Sequence, residues 1–199
     1  MRYDHLEGFQ FIGDLSMEDA NVLARLGKSS KRILEFGVGG STQIFAQCNP
    51  EKFVAVETDQ KWIDLTSSRL KFICDRKEPT FVPYDLYTED QYDLILVDGV
   101  DHLRLDFATK TWPWLQVGGV MAFHDTRRFV DFQHAMWIAQ LHFSEISQID
   151  VNVENSNLTL IHKREKLPYV NWNEMEGKPD WAYGHHIVPE GEGLWKVPV

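Results

Sequence analysis

The chain has 199 residues, of which 43% are hydrophobic and 25% charged, and its formal net charge at pH 7 is −10. This length and composition fit one folded domain with a single core, and no apolar run is long enough for a transmembrane helix. The acidic balance argues against nucleic acid as a partner, because binding to phosphates requires a basic surface.

The start of the chain lacks the apolar region of a secretory signal. The two cysteines, Cys48 and Cys74, both fall in predicted helices and form no C-x-x-C pair. A disulfide framework or a zinc site is therefore not expected. We expect a cytoplasmic protein without membrane contacts.

Residues 1–30 are predicted to be an N-terminal cap segment, irregular and aromatic, followed by one helix. Ser16 is a suitable N-cap for a helix over 17–26. Gly27 stands where such a helix would end.

Residues 31–163 alternate between short apolar runs typical of buried strands and longer segments typical of helices. The predicted strands are 33–38, 53–57, 80–84, 92–97, 119–124, 145–153 and 157–162. The predicted helices are 41–48, 60–74, 102–115 and 129–142. This order predicts a Rossmann-like α/β fold, with seven mostly parallel strands and helices on both faces. The last two strands have no helix between them, so they are expected to form a C-terminal antiparallel hairpin.

Residues 164–199 have no periodicity and contain Trp172, Trp181 and Trp195. We predict an irregular aromatic tail that packs on this domain or on a neighbouring subunit, which would allow a homodimer.

Glycines follow the first predicted strand, at Gly37, Gly39 and Gly40. They permit a tight turn and close approach of a ligand to the backbone, and the helix start offers free N–H groups. The turn alone identifies no ligand. Thr42 stands where the dinucleotide fingerprint G-x-G-x-x-G requires glycine, and no Gly-Lys-Ser/Thr of a P-loop follows.

Titratable residues follow three further strands. Glu57 ends the second strand and could accept hydrogen bonds from ribose hydroxyls, or be a solvated loop charge. Asp98 follows the apolar run LILV, and His124 and Asp125 follow the fifth strand. The carboxyl ends of such strands form the ligand crevice of open α/β sheets. A structural role for His124 is the alternative, as is helix capping by Asp101.

The segments ILEFGVGGST, VAVETD, LILVDGVDH and VGGVMAFHDT are together similar to the class I S-adenosylmethionine-dependent methyltransferases. They most resemble the small-molecule branch, which includes catechol-type and sugar or macrolide O-methyltransferases. The resemblance spans residues 31–162 and implies S-adenosylmethionine as cofactor and a small-molecule acceptor, methylated at a hydroxyl group.

The resemblance also implies site residues. Those around the methionine end of the cofactor would be Glu35, Gly37, Gly39, Ser41 and Thr42. Glu57 would hold the ribose, Asp85 would face the adenine, and Asp98 would lie near the sulfonium and the substrate.

Metal-dependent members hold Mg²⁺ with three residues, and here Asp98 and Asp125 match two of them while Thr126 replaces the third. No lysine follows Asp98 to match the general base of the catechol-type enzymes, and the nearest cation, Arg104, stays protonated. The candidate catalytic residues are therefore Asp98, His102 and His124, with either histidine as base.

Three other functions stay open. One is a non-catalytic cofactor-binding or interaction module of the same fold. Another is a nucleotide-dependent oxidoreductase, which Thr42 and the terminal hairpin disfavour. The third is a methyltransferase that acts on protein or nucleic acid. The acidic net charge disfavours nucleic acid as the substrate.

Overall fold

The structure is a computed structural model that describes residues 11–73 and 78–167, together with the backbone of 188–190 and 194–196. The chain divides into two compact units, Met1–Lys166 and Leu167–Val199. Cys74 and the tail tryptophans lie outside the described side chains, so the predictions about them, including a tail-mediated homodimer, stay predictions. No helix within the described ranges is long and apolar enough to cross a membrane.

The first unit is built on one seven-stranded sheet. Its strands are β1 Arg32–Phe36, β2 Lys52–Val56, β3 Thr80–Val82, β4 Tyr92–Val97, β5 Leu115–Phe123, β6 Ile146–Val151 and β7 Thr159–Lys163. Their spatial order is β3-β2-β1-β4-β5-β7-β6. Neighbours from β3 to β5 are parallel, whereas β7 is antiparallel to both β5 and β6. The predicted fold and its C-terminal hairpin are confirmed, and strand order reverses between β1 and β4.

Within the described residues, α1 Met17–Ser29 precedes the sheet, and four helices connect its strands: α2 Gly40–Cys48, α3 Gln60–Ile73, α4 Arg104–Thr111 and α5 Phe129–Leu141. Helix α4 is shorter than predicted, because 3-10 turns occupy 101–103 and 112–114. Pro113 explains its end, since proline has no N–H to donate and its ring clashes with the preceding turn.

Helix α1 begins as predicted and ends later. Ser16 Oγ accepts a hydrogen bond from the Asp19 backbone N–H at 3.1 Å, and Asp19 Oδ2 accepts one from the Ser16 N–H, also at 3.1 Å. Gly27 does not end the helix. A Cβ there would come within 2.8 Å of Cys48 Sγ, so this glycine permits close packing of α1 on α2.

The central strands are buried on both faces, as their continuous apolar sequences predict. Leu34, Ile95 and Val97 pack with Phe107 of α4 on one face. On the other face, the opposite set of strand side chains packs against α1 and α2. Because both faces are held, the carboxyl ends of β1, β2, β4 and β5 form a fixed platform.

In the second unit, β8 Val188–Glu190 pairs with β9 Leu194–Lys196 in an antiparallel hairpin. The sequence predicts an irregular tail, whereas these two short segments of it form paired strands.

Candidate active site

A cavity of about 510 Å³ opens at the carboxyl ends of the four central strands. Its size lies in the range of small-molecule sites. Seven of the eleven residues predicted to bind cofactor or metal or to act in catalysis line it together: Gly37, Gly39, Ser41, Glu57, Asp98, His124 and Asp125.

The other four candidates do not line the cavity. Glu35 and Thr42 are fully buried. Asp85 is exposed after β3, and His102 is exposed in the turn before α4. Their predicted contacts with adenine and with the acceptor therefore stay predictions.

The backbone at Gly37 forms part of the cavity wall. Its φ is +88°, and a Cβ there would lie 2.7 Å from Gly99 Cα and 2.8 Å from the Asp98 carbonyl oxygen. Only glycine allows the ends of β1 and β4 to meet this closely in that conformation.

Glu35 and Thr42 hold the glycine turn 37–40 through hydrogen bonds on its buried side. Thr42 Oγ1 donates to Glu35 Oε2 at 2.8 Å and accepts from the Gly39 N–H at 2.9 Å. Burial raises the pKa of Glu35 to about 8, and Glu35 Oε1 has no hydrogen-bond partner among the described residues. These two residues therefore shape the turn rather than face the cavity.

The segment 11–15 contributes cavity wall that the sequence did not predict. Ile12, Gly13, Asp14 and Leu15 all line the cavity. The Gly40 N–H donates to the Ile12 carbonyl at 2.8 Å, and the Ile12 N–H donates to Gln43 Oε1 at 3.0 Å. The signal in the sequence was Gln43, a polar residue in the part of α2 that is buried.

His124 lies between two carboxylates. Its Nδ1 is 3.0 Å from Asp98 Oδ1, and its Nε2 is 3.4 Å from Asp19 Oδ2. Burial alone would lower the pKa of His124, but Asp98, Asp19 and Asp125 outweigh it and raise the pKa to about 10. The ring is then charged at neutral pH, which opposes the general-base role that the sequence suggested.

Asp19 was missed as a site residue, because its position favoured only a helix-terminus role. Burial raises its pKa, but hydrogen bonds from His124, Ser16 and the Asn157 backbone N–H lower it to about 2. The Asn157 N–H lies 2.6 Å from Asp19 Oδ1. Helix α1 and the segment that precedes β7 are therefore joined through the same carboxylate that faces His124.

Arg104 is the second residue that was underestimated. It begins α4, and its side chain is only 5% exposed. Its Nε donates to the Gly99 carbonyl at 2.8 Å and its Nη1 to Asp131 Oδ1 at 2.8 Å. Its Nη2 lies 3.3 Å from Asp98 Oδ1 and 3.2 Å from Asp125 Oδ2.

The carboxylates of Asp98 and Asp125 are thus already paired with protein cations. Asp98, His124 and Asp125 do offer ligand atoms that lie within 4.8 Å of one another. However, Asp98 Oδ1 faces both His124 and Arg104, and Asp125 Oδ2 also lies 2.9 Å from Arg128. The third position is no better, because the buried Thr126 hydroxyl bonds to Thr159 at 2.9 Å. These residues do not fit Mg²⁺.

The backbone of Asp125 takes a left-handed conformation, with a φ of +60°. Aspartate adopts this conformation more readily than most residues other than glycine, and it directs the chain from the end of β5 towards α5.

Comparison with known proteins places the fold. A scan against known protein families finds no match, and neither does a search of curated proteins. Solved structures do match. One is the O-methyltransferase TomG of Streptomyces achromogenes, which is involved in tomaymycin synthesis and was solved with S-adenosylmethionine. Its TM-score is 0.61 at 16% identity, and the match covers 76% of this chain and 82% of TomG.

Two more solved structures agree. An O-methyltransferase of Bacillus cereus with S-adenosylhomocysteine gives a TM-score of 0.58 at 16% identity, over 75% of this chain and 83% of that one. The methyltransferase PaMTH1 of Podospora anserina, also with S-adenosylhomocysteine, gives 0.59 at 16% identity, over 75% of this chain and 80% of that one. The described sheet, its strand order and these matches together show that the chain has the fold of the class I S-adenosylmethionine-dependent O-methyltransferases.

Proposed function

We propose that this protein is a methyltransferase that uses S-adenosylmethionine to methylate a hydroxyl group of a small molecule. The observation that carries the proposal is a cavity with bare glycine backbone at the end of β1 and a fixed carboxylate, Glu57, at the end of the adjacent β2. The O-methyltransferases that share this fold support the choice of acceptor group.

Glu57 would hold the ribose of the cofactor. Its Oε1 accepts hydrogen bonds from the N–H groups of Thr58 at 2.7 Å and Asp59 at 2.9 Å. A carboxylate fixed by its own backbone is pre-organised to accept hydrogen bonds from two neighbouring hydroxyls. Gly37 and Gly39 would let the rest of the cofactor approach the main chain.

When bound, S-adenosylmethionine supplies an electrophilic methyl group on a sulfonium. The chain's own part is mostly positioning, which accounts for a large share of catalysis when two reactants are held together. Asp98 is the residue we propose to orient the acceptor hydroxyl. It lines the cavity, and His124 and Arg104 fix its carboxylate in place.

Calorimetric titration tests the cofactor. We expect micromolar binding of S-adenosylmethionine and S-adenosylhomocysteine, no binding of NAD⁺, and loss of binding in Glu57→Ala. Glu51→Ala is the matched control, because Glu51 precedes β2 on the surface and, among the described residues, forms an ion pair with the exposed Lys31. Folded protein that binds neither methyl compound would contradict the proposal, and preferential NAD⁺ binding would favour the oxidoreductase.

A non-catalytic cofactor-binding module is the second candidate, favoured by the charged state of His124. The two functions differ in turnover. Purified protein incubated with S-adenosylmethionine and a panel of hydroxyl-bearing small molecules should form S-adenosylhomocysteine, and Asp98→Asn should slow its formation while cofactor affinity is retained. Tight cofactor binding without turnover on any acceptor class would favour the binding module.

A further inference from the structure

The guanidinium of Arg104 lies at the centre of the acidic corner of the cavity. Its Nη2 is within 3.4 Å of three carboxylates, those of Asp98, Asp101 and Asp125, and its Nη1 bonds to Asp131. Arginine remains charged at any pH at which a protein is folded, so this cation is permanent.

The position of this cation is informative. Asp98 and Asp125 come from the ends of β4 and β5, two adjacent strands, and each side chain is 23% exposed at the cavity. Two carboxylates in this arrangement are suited to a divalent ion. Here a planar group with several donors bridges them instead, and it is held from behind by the carbonyl oxygen of Gly99 and by Asp131.

A metal ion would have to displace this group. Arg104 is nearly completely buried and uses its Nε, Nη1 and Nη2 in hydrogen bonds. Breaking a buried ion pair on one side leaves an uncompensated charge, which is strongly destabilising. Arg128 adds a second cation at 2.9 Å from Asp125.

We propose that Arg104 takes the place of a divalent cation between Asp98 and Asp125, so that the protein binds no metal ion there and positions its acceptor with an internal cation. The part about the acceptor rests on the proposed function, whereas the part about metal binding does not. Arg104 is thus a positioning residue, because it acts through the two carboxylates.

Binding of Mn²⁺, followed by the loss of its free-ion electron paramagnetic resonance signal, tests the proposal directly. The wild-type protein should not bind Mn²⁺ at this site. Arg104→Ala should bind about one Mn²⁺ per chain at concentrations at which wild type binds none, because four carboxylates lose a cation that they share. This gain should disappear in the double variant Arg104→Ala/Asp125→Asn.

Two variants separate this role from a merely structural one. Arg104→Lys keeps a positive charge and should bind Mn²⁺ no better than wild type. Arg127→Ala removes a neighbouring arginine that contacts the Asn155 carbonyl and not the acidic corner, and it should also leave Mn²⁺ binding unchanged. A gain of binding in Arg127→Ala equal to that in Arg104→Ala would overturn the proposal.

The wild-type protein decides the matter even if Arg104→Ala does not fold. Stoichiometric Mn²⁺ binding by wild type that is lost in Asp125→Asn overturns the proposal, and absence of such binding supports it. Titration of the protein with S-adenosylmethionine, with and without EDTA, tests cofactor binding independently of the Mn²⁺ experiment. Failure to bind the cofactor, with or without EDTA, counts against the proposed function and leaves the Mn²⁺ result standing.

Discussion

The β1–β2 side of the cavity is built around a glycine turn, whereas the β4–β5 side consists of ion pairs. On the first side, Gly37 and Gly39 expose the main chain to the cavity, and the carboxylate of Glu57 follows β2. On the second side, Arg104 and His124 each contact three or more carboxyl or carbonyl groups. The first side depends on glycines that have no side chain, and the second depends on charged side chains that neutralise one another. Substitutions on the two sides should therefore destabilise the protein for different reasons.

The largest effect is expected on the backbone side, from Gly37→Ala. The new Cβ would meet backbone atoms of Asp98 and Gly99 that cannot move aside, at a positive φ. We expect a loss of about 4 kcal/mol in the free energy of unfolding and loss of cofactor binding, measured by chemical denaturation and calorimetry. Gly118→Ala is the control, since Gly118 has a φ of +86° with no atom within 4 Å of its added Cβ. It should cost only about 1 kcal/mol, and equal losses in the two variants would show that steric contact with β4 is not the cause.

A second test concerns the acid beneath the glycine turn. In the folded protein the pKa of Glu35 is about 8, whereas the ordinary pKa of a glutamate is 4.5. Between these values the unfolded chain has lost a proton that the native state retains, so native stability falls as pH rises. Glu35→Gln removes this term. We expect it to resemble wild type near pH 5 and to be more stable near pH 9, with a difference on the order of 3 kcal/mol.

Glu35→Gln isolates this residue, because the raised pKa of His124 contributes equally to both proteins. Surface Glu51→Gln should reproduce the wild-type profile. Parallel stability profiles for Glu35→Gln and wild type between pH 5 and 9 would mean that Glu35 is ionised in the folded protein.

The smallest of these effects lies on the ion-pair side. Asp131 is buried and accepts hydrogen bonds from Arg104 at 2.8 Å and Arg128 at 2.7 Å. Asp131→Ala should cost about 2 kcal/mol by thermal or chemical unfolding, since Arg104 keeps its other carboxylates. Asp101 contacts the same two arginines but is 67% exposed, so Asp101→Ala should cost less than about 1 kcal/mol. Comparable losses would indicate that burial does not decide the strength of these pairs.

The same contrast explains what the sequence could predict. Strand β4 matched its predicted bounds, because it ends in Leu94–Val97, an unbroken apolar run whose burial needs no knowledge of its neighbours. The glycine turn and Glu57 were also found, since a strand end followed by glycine or an acid is a local pattern. These features depend on the main chain and on short spacings.

The β4–β5 side could not be predicted in this way. The pairing of Arg104 with Asp131 and of His124 with Asp19 joins residues that are 27 and 105 positions apart. Asp19 also had a simpler local explanation, because an acidic residue in the first turn of a helix is favourable without any distant partner. Segment 11–15 was missed for a similar reason, because its contacts with α2 involve backbone groups that any sequence carries.

The hydrogen bond between Asp19 and the Asn157 N–H spans 138 residues and closes the wall behind His124. A contact this distant in sequence closes a long loop, and the lost chain entropy must be offset by the packing around it. A chain that ends before β7 lacks the Asn157 N–H, so Asp19 would lose one of the hydrogen bonds that hold its carboxylate beside His124.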